Sequence, residues 1–134
     1  MALQLTSTVV QIFCKDVRDA IAFYRLLGLD VPEPPDGPDP HIDVELPGGN
    51  RLSFDAEQTI TGMHPEWVPP DSAGRVALAF GLESPADVDA MFDRLTHAGH
   101  PGALQPYAAP WGQRYATVLD PDGNIVDLFA VLAS

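Results

Sequence analysis

The sequence predicts an α+β fold made of two copies of one module, and three observations carry that prediction. Two amphipathic helical patterns lie 71 residues apart, each closed by a glycine. Two strand–turn–strand patterns follow them, 74 residues apart. A short apolar strand pattern precedes each helix. Such ordered self-similarity is the mark of a duplicated supersecondary unit.

Each element has its own justification. The first strand is Thr8–Cys14. The helix after Asp16 carries Val17, Ala20, Ile21, Tyr24 and Leu27, then Gly28; its counterpart after Ser84-Pro85 carries Val88, Met91, Phe92, Leu95 and Ala98, then Gly99. Both follow the i, i+3, i+4, i+7 spacing of one buried helical face. Ser84 is a helix cap, Pro85 suits the first turn and Asp87 takes the capping-box position; Asp16 and Asp19 repeat the arrangement. Gly28 and Gly99 suit the left-handed residue that ends a helix. The hairpin of the first half, Val44–Leu52, matches Val118–Val126 of the second, with Pro47 and Gly49-Asn50 answering Pro121 and Gly123-Asn124. Proline and Gly-Asn between apolar runs signal a tight strand connection. The fifth strand is read at Arg75–Phe80, and a further short strand is expected per half, near Leu29–Val31 and around Pro101–Gln105. Each half then reads βαβββ, with module 5–58 and module 73–133 forming one domain over 1–134. The proline-rich stretch Pro32–Pro40 reads as a loop, and 55–74 as the loop joining the modules. Modules of this size bury too little surface to be comfortable alone, so they should share a core or pair across subunits.

Composition narrows the function. The 134 residues include 7 basic and 19 acidic side chains, a formal net charge of −12. That balance excludes a nucleic-acid footprint and favours a cationic partner or an acidic soluble surface. No apolar run reaches the ~18 residues of a membrane span, and the first residues lack a basic signal region, so a cytoplasmic location is expected. A single cysteine, Cys14, excludes an intrachain disulfide and a multi-cysteine metal cage.

The helix Asp16…Phe23-Tyr24…Leu27-Gly28 and the ending Asp120-Pro121-Asp122-Gly123-Asn124-Ile125-Val126-Asp127-Leu128 make the chain similar to the vicinal oxygen chelate superfamily. That superfamily groups glyoxalases, bleomycin-resistance proteins and extradiol dioxygenases. The resemblance implies two curved mixed-sheet half-barrels around a cavity, in a homodimer. It also implies a divalent metal held by His and Glu at positions that match Val9, Ser53, Arg75 and Asp127. Only Asp127 suits a metal, since valine has no donor, serine is a poor ligand and arginine stays cationic. His41, His64, His97 and His100 show no mutual ligand spacing. No metal and no other cofactor is therefore expected.

Strand alternation then sorts the side chains. Val10, Ile12, Cys14, Leu52, Phe54, Val76, Leu78, Phe80, Val126 and Leu128 should pack on the helices. The opposite, cavity-lining face receives Gln11, Phe13, Asp43, Ser53, Arg75, Tyr115, Asp127 and Phe129 as ligand-binding residues, with His41 and Arg51 in supporting places. Val9, Glu45, Asp55, Ala77, Ala79 and Thr117 share that face. The segment Pro106–Arg114, stiffened by two prolines, offers Tyr107 and Trp111 as planar anchors near the cavity mouth, and Trp67 in the joining loop serves as a lid or an interface residue. An apolar lining with a few polar anchors suits an organic ligand. The resulting expectation is a metal-free small-molecule binding protein of the antibiotic-resistance type, holding an aromatic cation, with no catalytic residues. The alternative is a glyoxalase- or dioxygenase-like lyase, isomerase or oxygenase, either with a metal at atypical ligands or metal-free with Asp127 or His41 as the base.

Overall fold

A computed structural model of the chain describes residues 3–38, 40–71 and 73–133. The chain divides into two compact units, Met1–Pro69 and Pro70–Ser134. The N-terminal unit contains β1 (Val9–Cys14), α1 (Val17–Leu27), β2 (His41–Glu45), β3 (Arg51–Ala56) and α2 (Glu57–Met63). The C-terminal unit contains β4 (Leu78–Gly81), α3 (Pro85–His97), β5 (Gly102–Ala109), β6 (Gln113–Leu119) and β7 (Ile125–Val131).

Both units use one strand plan. The sheets run β1-β3-β2 and β4-β7-β6-β5. In each, the first strand pairs parallel with the last, and the hairpin closes antiparallel. Parallel pairing needs a crossover, which α1 and α3 supply. Their ends are built as the sequence implies. The Asp16 carboxylate accepts from the Arg18 and Asp19 amides at 2.9 and 3.2 Å, and the Ser84 hydroxyl accepts from the Asp87 amide at 3.2 Å. Gly28 and Gly99 end the helices at φ values of +114° and +99°, a region that disfavours any Cβ. The hairpin turns match bond for bond. The Leu46 amide donates to the Asn50 carbonyl at 2.7 Å, and the Asp120 amide donates to the Asn124 carbonyl at 3.0 Å.

The helix-facing cores follow the predicted alternation. Ile12, Cys14, Val44, Leu52 and Phe54 are buried with Ala20, Ile21, Tyr24 and Leu27 of α1. Tyr24 meets Phe54 at a ring-centroid distance of 5.2 Å. In the other unit Ala116, Val118, Val126 and Leu128 are buried with Val88, Phe92 and Leu95 of α3. Arg114 adds a bidentate ion pair from β6 to Asp89 of α3, at 3.0 and 3.2 Å.

Four expectations need correction. The strand near Leu29–Val31 is absent, so the first sheet has three strands against four in the second. Prolines from Pro32 onward have no N–H to offer a ladder, and the Val31 carbonyl is instead held by Arg25 Nε at 3.0 Å. The joining stretch 55–74 is not all loop, because β3 extends to Ala56 and α2 follows directly. The strand around Pro101–Gln105 runs on to Ala109, carrying Tyr107 and Pro106 with it; Pro106 is tolerated on this edge strand where the β5–β6 register shifts. The fifth strand starts at Leu78 rather than Arg75. Leu78 pairs with Val126, so positions before Ala77 would face the Asn124 turn and find no ladder partner. Arg75 and Val76 are exposed there, outside any strand.

Candidate functional site

In the N-terminal unit the face away from α1 is laid out in three rows by strand register. These rows are Val9–Arg51–Glu45, Gln11–Ser53–Asp43 and Phe13–Asp55–His41. Glu45 and Arg51 face one another as opposite charges across the hairpin. His41 sits between two carboxylates: its Nδ1 lies 2.5 Å from Asp55 Oδ1 and its Nε2 lies 3.2 Å from Asp43 Oδ1. With an acceptor at each nitrogen, the doubly protonated ring is favoured. The Asp55 hydrogen bond, more than the opposing effect of burial, raises the His41 pKa above its ordinary 6.5, and Asp43 adds to the rise. Asp55 is buried, while Asp43 remains exposed. Ser53 is 1% exposed, and its hydroxyl has no hydrogen-bond partner among the described residues. Trp67, beyond α2, sets its ring edge-to-face against Phe13 at 5.5 Å and 88°.

In the C-terminal unit the face away from α3 is aromatic around one carboxylate. Asp127 accepts from the Tyr115 hydroxyl at 2.8 Å and from the Thr117 hydroxyl at 2.6 Å. Burial, then the Asp127 hydrogen bond and charge, pushes the Tyr115 pKa up to about 12, so the phenol is a firm donor. Tyr115 pairs with Phe129 on one side and Tyr107 on the other. Trp111, in the turn between β5 and β6, stands edge-on to both tyrosines, with centroids 5.3 Å from Tyr115 and 6.3 Å from Tyr107. Its indole N–H donates to Gln113 Oε1 at 2.8 Å, which fixes the ring while leaving it 58% exposed. An ordered aromatic wall beside a carboxylate can stack a planar ligand and attract its positive charge.

Most of the expected lining residues fall on these two faces. His41, Asp43, Ser53, Phe13, Gln11, Arg51 and Trp67 belong to the first, with Tyr107, Trp111, Tyr115, Asp127 and Phe129 on the second. Arg75 joins neither sheet. Asp55, Thr117 and Gln113 matter more than the sequence suggested. Alternation places Asp55 and Thr117 on the right face, but hydrogen-bond partners depend on register and rotamer, which no spacing reveals.

The superfamily's metal does not fit these residues. In the first unit Val9 has no donor and Ser53 offers one neutral hydroxyl. In the second, Arg75 is a cation outside the sheet, and each Asp127 oxygen already accepts a hydroxyl. The His41 cluster is no substitute, because its carboxylates meet opposite ring nitrogens and no single ion could take all three without the ring turning. Among the described residues no group of three or more His, Cys, Asp or Glu is arranged to hold a metal.

Two mixed, unclosed sheets, each with the same strand plan and a crossover helix, define a duplicated α+β module with polar–aromatic faces. The chain belongs to the Glyoxalase/Bleomycin resistance protein/Dioxygenase superfamily, whose family model matches residues 6–128. Among solved structures it is similar to a glyoxalase/bleomycin resistance protein/dioxygenase family enzyme from Burkholderia phytofirmans PsJN, at 24% identity and a TM-score of 0.80, covering 93% of this chain and 98% of that one. It is also similar to lactoylglutathione lyase from Agrobacterium tumefaciens (21% identity, TM-score 0.67, 96% and 95% covered). TioX from Micromonospora sp. ML1 is a third such structure (25% identity, TM-score 0.63, 95% and 99% covered). No curated protein matches the sequence. Membership of this superfamily leaves both ligand binding and enzymatic roles open. Among the described residues no helix is long and apolar enough to cross a membrane.

Proposed function

We propose that this chain is a metal-free small-molecule binding protein that captures an aromatic cation. The observation that carries the proposal is the exposed Trp111 ring, fixed by Gln113 and flanked by Tyr107 and Tyr115, the latter hydrogen-bonded to the Asp127 carboxylate. Planar side chains held before the ligand arrives lose little entropy on binding. Asp127 supplies the negative charge, and the chain's −12 balance steers cations toward it. A homodimer with a cytoplasmic location accompanies this proposal. The catalytic alternative has less support. The doubly protonated His41 ring, with a carboxylate at each nitrogen, has no lone pair to offer a substrate proton, and Asp127 is held by the Tyr115 and Thr117 hydroxyls, one at each oxygen.

Fluorescence tests the proposal. In a Trp67→Phe variant the remaining tryptophan, Trp111, should respond saturably to members of a panel of cationic aromatic compounds, and Trp111→Ala should weaken their binding by about 0.5–2 kcal/mol, read by calorimetry. A panel that leaves the Trp111 emission unchanged throughout would end the proposal.

A further inference from the structure

We propose that the N-terminal unit's face away from α1 is a site for a primary ammonium group, which displaces the His41 imidazolium from between Asp43 and Asp55 and is completed by the Ser53 hydroxyl. The inference rests on the cationic reading above and extends it to the other unit; it adds the kind of cation this face takes, and that a proton leaves when it binds.

Three features of the site support it. The His41 ring, one nitrogen on each carboxylate, is a built-in cation occupying the position that a ligand's charge would take. Ser53 is the second feature. Its register partner across the hairpin is Asp43, a carboxylate within the same row, yet the buried Ser53 hydroxyl is left without a partner because Asp43 turns to His41 Nε2. A buried hydroxyl with no partner in the protein is unfavourable. The site is thus one donor group short. The third feature is the chemistry of the acceptors. Asp43, Asp55 and Ser53 Oγ form an acceptor set that three N–H donors on one nitrogen can satisfy together, as a primary ammonium does. A quaternary ammonium has no N–H and cannot. The edge-to-face pair of Phe13 and Trp67 borders Asp55 and provides apolar surface for the carbon part of such a ligand.

The other charged groups around His41 do not alter this logic. On the same face Glu45 and Arg51 oppose one another, and β1 brings Val9, Gln11 and Phe13, none titratable. The helix α2, packed on β1 and β3, adds Glu57 at its start and His64 at its end. When the ammonium enters, the imidazole ring swings out and loses the carboxylates that raise its pKa, so above about 6.5 it gives its proton to solvent. Charge in the cluster is conserved, with one cation exchanged for another.

The test is calorimetric titration of the full chain with phenethylamine between pH 5.5 and 8.5, in two buffers of different ionisation enthalpy. The affinity should rise with pH, by up to tenfold per unit, between about 6.5, where a displaced imidazole loses its proton, and the raised value of His41 in the empty site, and level off on either side, with up to about one proton released per ligand inside that window and little at pH 5.5. N,N,N-trimethylphenethylammonium should bind more weakly by tenfold or more. Ser53→Ala should weaken phenethylamine binding about tenfold. Asp43→Asn should weaken it further, and His41→Gln should bind without the pH dependence; circular dichroism confirms that each variant is folded. Affinity that is independent of pH in the natural chain, or equal affinity for the trimethyl compound, would overturn the inference. Loss of phenethylamine binding while the cationic panel still moves Trp111 emission would overturn it alone. Failure of both would remove the cationic reading as well.

Discussion

The two units place chemically different side chains at corresponding positions of one strand plan. His41, Asp43, Ser53 and Asp55 of the first answer Tyr115, Thr117, Asp127 and Phe129 of the second, each 74 residues later. In the second unit a carboxylate stands in the middle, and two hydroxyls donate to it. In the first the arrangement is inverted: the hydroxyl of Ser53 is in the middle, and the carboxylates flank it, drawn to an imidazole. One network is closed and the other lacks a donor. On the helix side the same 74-residue shift relates Leu52 to Val126 and Phe54 to Leu128, all fully buried. The difference teaches where each kind of constraint acts. A core position asks only for apolar volume and keeps its character through duplication, whereas the opposite face is not held to that packing and is free to diverge.

The sharpest way to break the comparison is through the cores. Phe54→Ala should cost roughly 3–5 kcal/mol and Leu128→Ala roughly 2–5 kcal/mol, read by denaturant unfolding. A cost below ~1 kcal/mol at either position would show that the two helix sides are not equivalent.

Next in size is the closed network. Asp127→Asn should cost up to about 3 kcal/mol by weakening two hydrogen bonds to a charged acceptor. Ultraviolet titration should show the Tyr115 phenol moving down from about 12, while staying above 10 because burial remains its larger cause. In the natural protein the phenol's contribution is intact below pH 10 and is lost as pH rises toward about 12. An unchanged titration curve would mean that Asp127 does not hold Tyr115.

Ligand affinity gives the third contrast. Trp111→Ala should weaken an aromatic cation by about 0.5–2 kcal/mol, the range of exposed to desolvated cation–π contacts. Trp67→Phe should matter less, since Trp67 is already committed to Phe13.

The smallest effect is the pH response of the open network. The His41 pKa is raised in the folded chain, so its contribution to stability is complete below about 6.5 and fades as pH passes the raised value. Denaturant midpoints should therefore decline slightly above that point in the natural chain and stay flat in His41→Gln. No slope in either protein would mean that the two carboxylates do not hold the ring.

How much of this was legible in the sequence depends on what each feature rests on. The helices, their Asp16 and Ser84 caps, the matched hairpin turns and the buried faces follow from local spacing, and local spacing is what a sequence displays. Leu29–Val31 has the right residues for a strand, but the prolines behind it and Arg25 on its carbonyl deny it a ladder. Arg75 lies in an apolar alternating run, yet a strand lasts only as long as its partner, and β7 begins at Ile125. The tie between His41 and the two carboxylates was not legible either. It joins neighbours across a hairpin through side-chain rotamers, and the spacing of residues 41, 43 and 55 is compatible with several pairings. The orphaned Ser53 hydroxyl is a consequence of that choice, so it appears only once the contacts are known.

The proposed capture of a cationic aromatic ligand rests on the C-terminal unit's face around Trp111 and Asp127, and the Trp111 indole N–H reports on it most directly. Its resonance in a nitrogen-edited NMR spectrum is isolated from the backbone, and its environment is defined by Gln113. Titration with the cationic panel should shift that resonance saturably, and neutral analogues of the same shape should shift it much less. A Trp111 resonance that stays in place for every cation, or moves equally for the neutral analogues, would contradict the account.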